Sequence, residues 1–245
     1  NIGPQRDPFP MTREEKIAVV GAGPAGLTCA YFLAKMGYQT TVFEAQPVAG
    51  GMLGIAVPEF RLPRKVIEEE IQYIENCGVE IRYNSPIDAK HTFNDLLSEG
   101  YSAVFIAAGA QASKHIGIPG EDENLEGLYY GLDFLSRVRM GQKVPLSGKT
   151  VVIGGGNVAV DVARTALRSG AHDVQIFCLE PRDEMPAWDK DVEEAIDEGI
   201  VINPEASPSN ITQKDGRVTG IEFTHCVCVF DDEGCFNPTC DLEDT

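Results

Sequence analysis

Along this chain short apolar runs alternate with amphipathic stretches, and the same order of elements occurs twice. Lys16–Val20 (KIAVV) has the length and composition of a buried strand. It meets Gly21-Ala22-Gly23-Pro24-Ala25-Gly26, after which Leu27, Ala30, Leu33 and Ala34 recur at helical spacing as far as Met36. Gly37 follows as a helix C-terminal cap would, and residues 40–44 (TTVFE) form a β-branched strand ending in a carboxylate. Residues 16–44 therefore predict strand, glycine turn, helix and strand, the span of a parallel βαβ unit. The order returns with a strand at 150–153, a turn at Gly154-Gly155-Gly156, a helix over Asn157–Arg168, a stop at Gly170 and a second strand at 174–179.

Two βαβ units predict an α/β fold built from two Rossmann-like modules. The first occupies residues 1–112 and the second 148–245. The stretch between them, 113–147, is rich in Gly, Pro and charge and is expected to be a connection. After Glu198 the texture changes. Val201–Asn203, 217–223 and 226–230 are short β-prone runs separated by Asp-Gly and Glu-Gly, and predict antiparallel strands appended to the second module. No closing helix or strand is expected before Thr245.

Composition narrows the function classes. Of 245 residues, 43% are hydrophobic and 24% charged, as in ordinary globular proteins. Twenty Lys and Arg against 38 Asp and Glu leave a net charge of −18. Such a surface repels phosphate backbones and anionic lipid, which disfavours nucleic-acid and peripheral-membrane roles. Small anions are still admitted, because backbone N–H groups at a helix N-terminus bind them without basic side chains. No run is long and apolar enough to span a membrane, and residues 1–10 lack the apolar core of a secretory signal. Seven cysteines without a signal suit a cytoplasmic protein with free thiols. Residue 1 is Asn and Met11 is internal, so the start is expected to be a cut inside a longer chain.

The glycines carry the chemistry. Gly21, Gly23 and Gly26 make G-x-G-x-x-G, in which the first permits the turn, the second admits a pyrophosphate and the third allows close helix–strand packing. Pro24 sits in the first helical turn, where its missing N–H is harmless. Glu44 stands about 20 residues on, where a carboxylate is expected to bond a ribose hydroxyl. The second fingerprint is Gly154-x-Gly156-x-x-Ala159, with Ala as a permitted third residue. On its helix Asp161 and Arg164 are three apart on one face, a spacing at which they can pair; a solvated surface bridge and a ligand role are the two readings of that pair. Two nucleotide sites in one chain point to electron passage between them, most simply from a nicotinamide to a flavin.

Further motifs follow in order: GGMLGIAVPEFRLP (50–63), FIAAGA (105–110), IPGEDENLEG (118–127), GGGNVAVDVAR (154–164) and DEMPA (183–187). With them, from about residue 16 to the end, the chain resembles the glutamate synthase small subunit family. Its relatives include the FAD half of dihydropyrimidine dehydrogenase and the flavoprotein subunits of electron-bifurcating NADH-dependent complexes. The resemblance implies an FAD domain with an inserted NAD(P) domain. It places Gly21, Gly23, Ala25 and Gly26 on the FAD pyrophosphate and Glu44 on the adenosine ribose. Gly50 and Gly51 would let the cofactor pass, Ala108 and Gly109 would close the domain's third strand, and Arg61 would lie near the flavin. An ordinary surface charge is the competing reading of Arg61. Gly154, Gly156, Asn157, Val158 and Ala159 would line the dinucleotide.

Three departures from that family bear on function. Residues 1–20 hold no cysteine for the [4Fe–4S] centres that relatives carry, so iron–sulfur clusters are expected on other subunits or domains of a larger complex. The closing Gly-Asp segment of the FAD domain is missing, so that domain is expected to be incomplete at its C-terminal end. The Arg-Arg pair of NADPH-using members is replaced by Leu179-Glu180, and a carboxylate there implies NADH over NADPH.

Cys226, Cys228, Cys235 and Cys240 are spaced C-x-C-x6-C-x4-C, which matches neither zinc pairs nor the ferredoxin run, so no metal is assigned. Cys29, Cys77 and Cys178 lie on apolar faces and are expected in the core. No C-x-x-C or C-x4-C supplies the paired thiol of a disulfide reductase, and none of the four histidines pairs with a Ser or Cys at a motif. No catalytic side chain is assigned, since hydride transfer requires only positioning. The functional reading is an FAD-dependent NAD(P)H oxidoreductase module. Its alternatives are a nucleotide-holding scaffold and an NADPH-specific glutamate synthase small subunit.

Overall fold

The computed structural model describes residues 7–146 and 148–244, without the side chains of 242–244. Two compact units divide between Gln111 and Ala112. The first runs β1 (Lys16–Val20), α1 (Pro24–Lys35), β2 (Gln39–Phe43), α2 (Met52–Ile55), α3 (Arg64–Asn76), β3 (Glu80–Arg82), α4 (Phe93–Ser98) and β4 (Tyr101–Ile106). Its strands form one parallel sheet in the order β3-β2-β1-β4.

The apolar run of β1 is explained by burial on both faces. Successive side chains of a strand point to opposite faces. Val19 enters a cluster with Leu27, Ala30, Ala34, Ile67 and Ile71 from α1 and α3. Ala18 and Val20 enter another with Phe43, Leu96 and Tyr101. A two-sided environment of this kind selects continuous apolar runs over alternation. The chain leaves β1 for β2 on one side and returns in β4 on the other. The loop after β1 therefore lies at a topological switch point, where open α/β sheets bind ligands.

The second unit runs α5 (Gly131–Arg139), β5 (Lys149–Ile153), α6 (Asn157–Arg168), β6 (Asp173–Phe177), α7 (Asp189–Asp197), β7 (Val201–Asn203), β8 (Ala206–Lys214), β9 (Arg217–Phe230) and β10 (Phe236–Asp244). It contains a parallel sheet, β5-β6-β7, and an antiparallel one, β10-β9-β8. Phe177 of β6 and Phe223 of β9 stack with centroids 4.1 Å apart. The expected connection is itself part of this unit. It carries α5, Glu126 bridges to Arg217, and Ile211 donates its amide to Pro119 O. Ser147, at its end, lies outside the described residues, as do residues 1–6 and Thr245.

The antiparallel sheet corrects the sequence expectation. The two β-prone runs at 217–223 and 226–230 are one 14-residue strand, because Thr224 and His225 between them pair with Ser207 and Ala206 of β8. β8 and β10 carry Pro208 and Pro238 and many polar residues, which hid them. Both are edge strands, the place where a sheet tolerates proline. A closing strand therefore does precede Thr245.

Candidate dinucleotide sites

In the first unit the turn between β1 and α1 is closed by Gly21 N–H donating to Phe43 O at 2.8 Å. Gly21 has φ +101°, and a Cβ there would overlap Ala107 O. A Cβ on Gly26 would overlap Gly21 O, so this glycine is required for the helix to start this close to the turn. Gly23 differs. Its φ is −79° and an added Cβ would meet only Gly51 Cα, at 3.8 Å. The protein itself therefore does not require glycine at 23, and the open space is a cradle that a side chain would fill. Pro24 and Ala25 are exposed beside it, and no side chain caps α1. The helix N-terminus thus presents its dipole and amides to whatever enters.

Glu44 is buried with both oxygens bonded to backbone amides. Oε2 accepts Ala22 N–H and Oε1 accepts Gln46 N–H, each at 2.8 Å. Gly50 N–H donates to Ala22 O at 2.8 Å, so the middle residue of the turn is held from two sides. Each carboxylate oxygen keeps acceptor capacity for a hydroxyl. Gly50 and Gly51 have φ +106° and +55°, and a Cβ on Gly51 would come 2.8 Å from Gly23 Cα. Ala108 and Gly109 follow β4 rather than end it, with Ala108 beside Gly21. Arg61 is half-buried, with Nη2 out of solvent, so it is not an ordinary surface charge.

The second unit repeats the turn. Gly154 N–H donates to Phe177 O at 2.8 Å, Gly154 has φ +129°, and α6 has no side-chain cap. A Cβ on Gly156 would meet nothing within 4 Å, the same opening as at Gly23. Ala159 is accepted as the third residue because its Cβ would stand 3.5 Å from one built on Gly154, where the first unit leaves no such room. Val158 is exposed. Ala187 N–H donates to Gly155 O and Trp188 N–H to Asn157 Oδ1, at 3.0 and 2.9 Å. The Asn157 side chain is thus a tether for the segment after DEMPA, a role not legible from the motif, and this bond leaves its backbone N–H and its Nδ2 as donors.

Matching the turns by their closing bonds pairs Phe43 with Phe177, and hence Glu44 with Cys178. The position equivalent to Glu44 in the second module holds a buried thiol, pushed up to about 11 by burial and by the neighbouring Glu180 charge. Glu180 stands two residues further on, with Oε2 2.6 Å from where a Gly155 Cβ would be. Arg182 lies 3.5 Å from exposed Asp189. Asp161 and Arg164 are both buried, not a solvated bridge. Arg164 binds Glu198, the C-terminal cap of α7, and Glu194 within it, at 2.7 and 2.8 Å. Cys77 and Cys178 are buried as expected, while Cys29 is partly open. Among the described residues no group of three or more His, Cys, Asp and Glu is placed to hold a metal ion, and no helix is long and apolar enough to cross a membrane.

Two glycine turns closed by the same backbone bond thus stand one in each unit, each on a parallel sheet. Residues 15–230 match the pyridine nucleotide-disulphide oxidoreductase family. The chain belongs to that family. It is 43% identical to the NADP(+)-dependent formate dehydrogenase subunit beta of Moorella thermoacetica, over 86% of this chain and 30% of that protein. It is 39% identical to the NADPH-Fe(3+) oxidoreductase subunit beta of Geobacter sulfurreducens, over 91% and 33%. Identity to the glutamate synthase [NADPH] small chain of Escherichia coli is 34%, over 85% and 46%. The chain spans about a third of the length of the first two relatives. In fold it is similar to the NADPH complex of Mycobacterium tuberculosis FprA, with a TM-score of 0.79 at 23% identity over 95% of this chain and 68% of that one. The resemblance to glutamate synthase small subunits and the α/β two-module fold are thereby confirmed. The expected preference for NADH finds no support, since these relatives are named for NADP(H).

Proposed function

We propose that the first unit holds FAD, that the second holds a pyridine dinucleotide, and that hydride passes between the two cofactors. The observation that carries this reading is the pair of open glycines, Gly23 and Gly156, each beside an uncapped helix in a turn closed by the same bond. FAD, when bound, supplies an acceptor that takes two electrons together and releases them one at a time. The chain's own residues bind and orient. Ala25 and Gly26 amides meet the FAD pyrophosphate, and Glu44 accepts a ribose hydroxyl from a position fixed by Ala22 and Gln46. Gly50 and Gly51 keep the path beside Gly23 clear, Ala108 and Gly109 border the turn, and Arg61 serves the flavin end. In the second unit Gly154, Gly156, Val158 and Ala159 supply the turn and the helix amides.

The dinucleotide proposed is NADP(H). Cys178 puts no carboxylate where a ribose 2′-OH would need one, and the relatives' names point the same way. Among the described residues Arg182 pairs with exposed Asp189, a pairing worth ~0–1 kcal/mol that a 2′-phosphate can displace. A second reading, NADH, is favoured by the Glu180 carboxylate against Gly155, which repels a phosphate. Electrons are proposed to leave for iron–sulfur clusters on other subunits or domains, a reading supported by relatives named as subunits. A cytoplasmic setting is part of the proposal and rests on seven unpaired thiols. Cofactor extraction from the complete protein tests the first step. FAD in stoichiometric amount supports it, and FMN or no flavin refutes it.

A further inference from the structure

β9 and β10 bring two thiols face to face. Cys226 and Cys240 are register partners in the antiparallel pair, and Cys240 is among the groups close enough to raise the Cys226 thiol, whose Sγ is directed to Cys228 O at 3.6 Å. Cys226 N–H is taken by Glu205 O at 2.8 Å, away from β10, so toward β10 it occupies a non-hydrogen-bonded position. The ladder is irregular on both sides of this pair; directly opposed residues of antiparallel strands lie about 4.5–5.5 Å apart at Cα, within the range of about 4.4–6.8 Å that a disulfide spans. Cys226 is buried and Cys240 half-buried. The nearby thiols are placed otherwise. Cys228 faces Thr239 and its Sγ is directed to Phe230 O at 2.7 Å, and Cys235 lies exposed in the turn between the strands. The pair is drawn from two strands of the second unit, so no short cysteine motif announces it.

We propose that Cys226 and Cys240 form a reversible cross-strand disulfide that fastens β10 to β9 under oxidising conditions. A low-molecular-weight disulfide is the oxidant. The half-buried Cys240 thiolate attacks one of its sulfurs, forming a mixed disulfide and releasing one small thiol. Cys226 then loses its proton to solvent and attacks Cys240 Sγ, which forms the protein disulfide and releases the second small thiol. The two protein thiols give up two electrons and two protons, and the small disulfide becomes two thiols. Order follows from access: burial pushes the Cys226 thiol up to about 11, which makes it a poor first nucleophile and leaves it the intramolecular second step. The site is independent of the nucleotide reading, since neither thiol belongs to a glycine turn.

The test uses the complete protein, equilibrated with oxidised and reduced glutathione at graded ratios, alkylated while still folded and mapped by mass spectrometry. The expected result is a Cys226–Cys240 linked peptide that appears with rising oxidant and is lost on adding reductant, with Cys228 and Cys235 still alkylated. Hydrogen exchange of β10 amides should slow at least tenfold in the linked form. Cys240→Ser should abolish the link and Cys228→Ser should keep it, a comparison that stands even where Cys226→Ser fails to fold. Links to Cys228 or Cys235 in place of this one, or an alkylated Cys240 with no Cys226–Cys240 peptide at the highest oxidant ratio, would overturn the proposal.

Discussion

Cys178 occupies in the second module the position that Glu44 holds in the first. Each follows the phenylalanine whose carbonyl closes its glycine turn, Phe43 to Gly21 and Phe177 to Gly154, both at 2.8 Å. One position thus carries a carboxylate bonded to the turn in one module and a buried thiol in the other. The same backbone turn thus presents different chemistry at one position in the two modules.

The first prediction concerns Arg182. A charge-assisted bond to a 2′-phosphate is worth ~1.5–3 kcal/mol, so Arg182→Ala should lower kcat/KM for NADPH by about 10- to 100-fold and barely change that for NADH. Leu179→Arg with Glu180→Arg should raise the NADPH preference further. A wild-type ratio favouring NADH, with Arg182→Ala neutral, would transfer the specificity to Glu180.

Gly23→Ala and Gly26→Ala should separate binding from folding. The added methyl at 23 meets open space, while at 26 it overlaps Gly21 O. Gly26→Ala is expected to cost about 1–3 kcal/mol of stability in a denaturant titration. Gly23→Ala should leave the midpoint of the flavin-free protein unchanged and reduce bound flavin at least tenfold, because its methyl stands where a pyrophosphate would approach. Equal losses of stability in both variants would contradict the assignment.

Glu198 makes a pH prediction. Hydrogen bonds from Arg168, then Arg164, hold its carboxyl down at about 2. Because the folded value is depressed, the contribution to stability is full above the usual carboxylate range and is lost as pH falls from about 5 toward 2. Glu198→Gln should therefore lower stability by about 1–2 kcal/mol near neutrality, with the gap to wild type closing across that window. Thermal melts at several pH values read it. A gap that does not change with pH would place the effect in packing alone.

Asn157→Ala cuts the tether to Trp188 N–H, which is 2.9 Å long. One neutral hydrogen bond is worth ~1 kcal/mol, so pyridine-nucleotide affinity should fall about fivefold while flavin content stays unchanged. Trp188, the chain's single tryptophan and 73% exposed, should report nucleotide binding by its fluorescence in wild type. Loss of flavin together with nucleotide affinity would instead mark a general folding defect.

Much of this was legible in the residues because burial on both faces of β1 and the repeated turn leave unambiguous marks: KIAVV, two glycine fingerprints and an acid at Glu44. The parts that were hidden have physical reasons. β8 and β10 are polar, proline-bearing edge strands stabilised by pairing with β9 rather than by a buried face. α5 packs its Phe134 and Leu135 inside a segment whose glycines and charges resemble a linker. The sequence pattern picks out Glu180 as the acid of the second module, whereas the bond that closes the turn makes Cys178, the residue after Phe177, the counterpart of Glu44. The Arg164 partners come from α7 and its C-terminal cap, too far along the chain for a helix-spacing rule to find.

The central claim is that hydride passes between a pyridine nucleotide and FAD held by these two turns. Anaerobic mixing of the complete, FAD-loaded protein with NADPH, followed by visible absorbance, tests it most directly. The account predicts that the flavin bleaches within the turnover time, and that Gly156→Val stops bleaching while leaving the bound FAD in place. Flavin that remains oxidised with NADPH and with NADH alike, in protein that binds both cofactors, would contradict it.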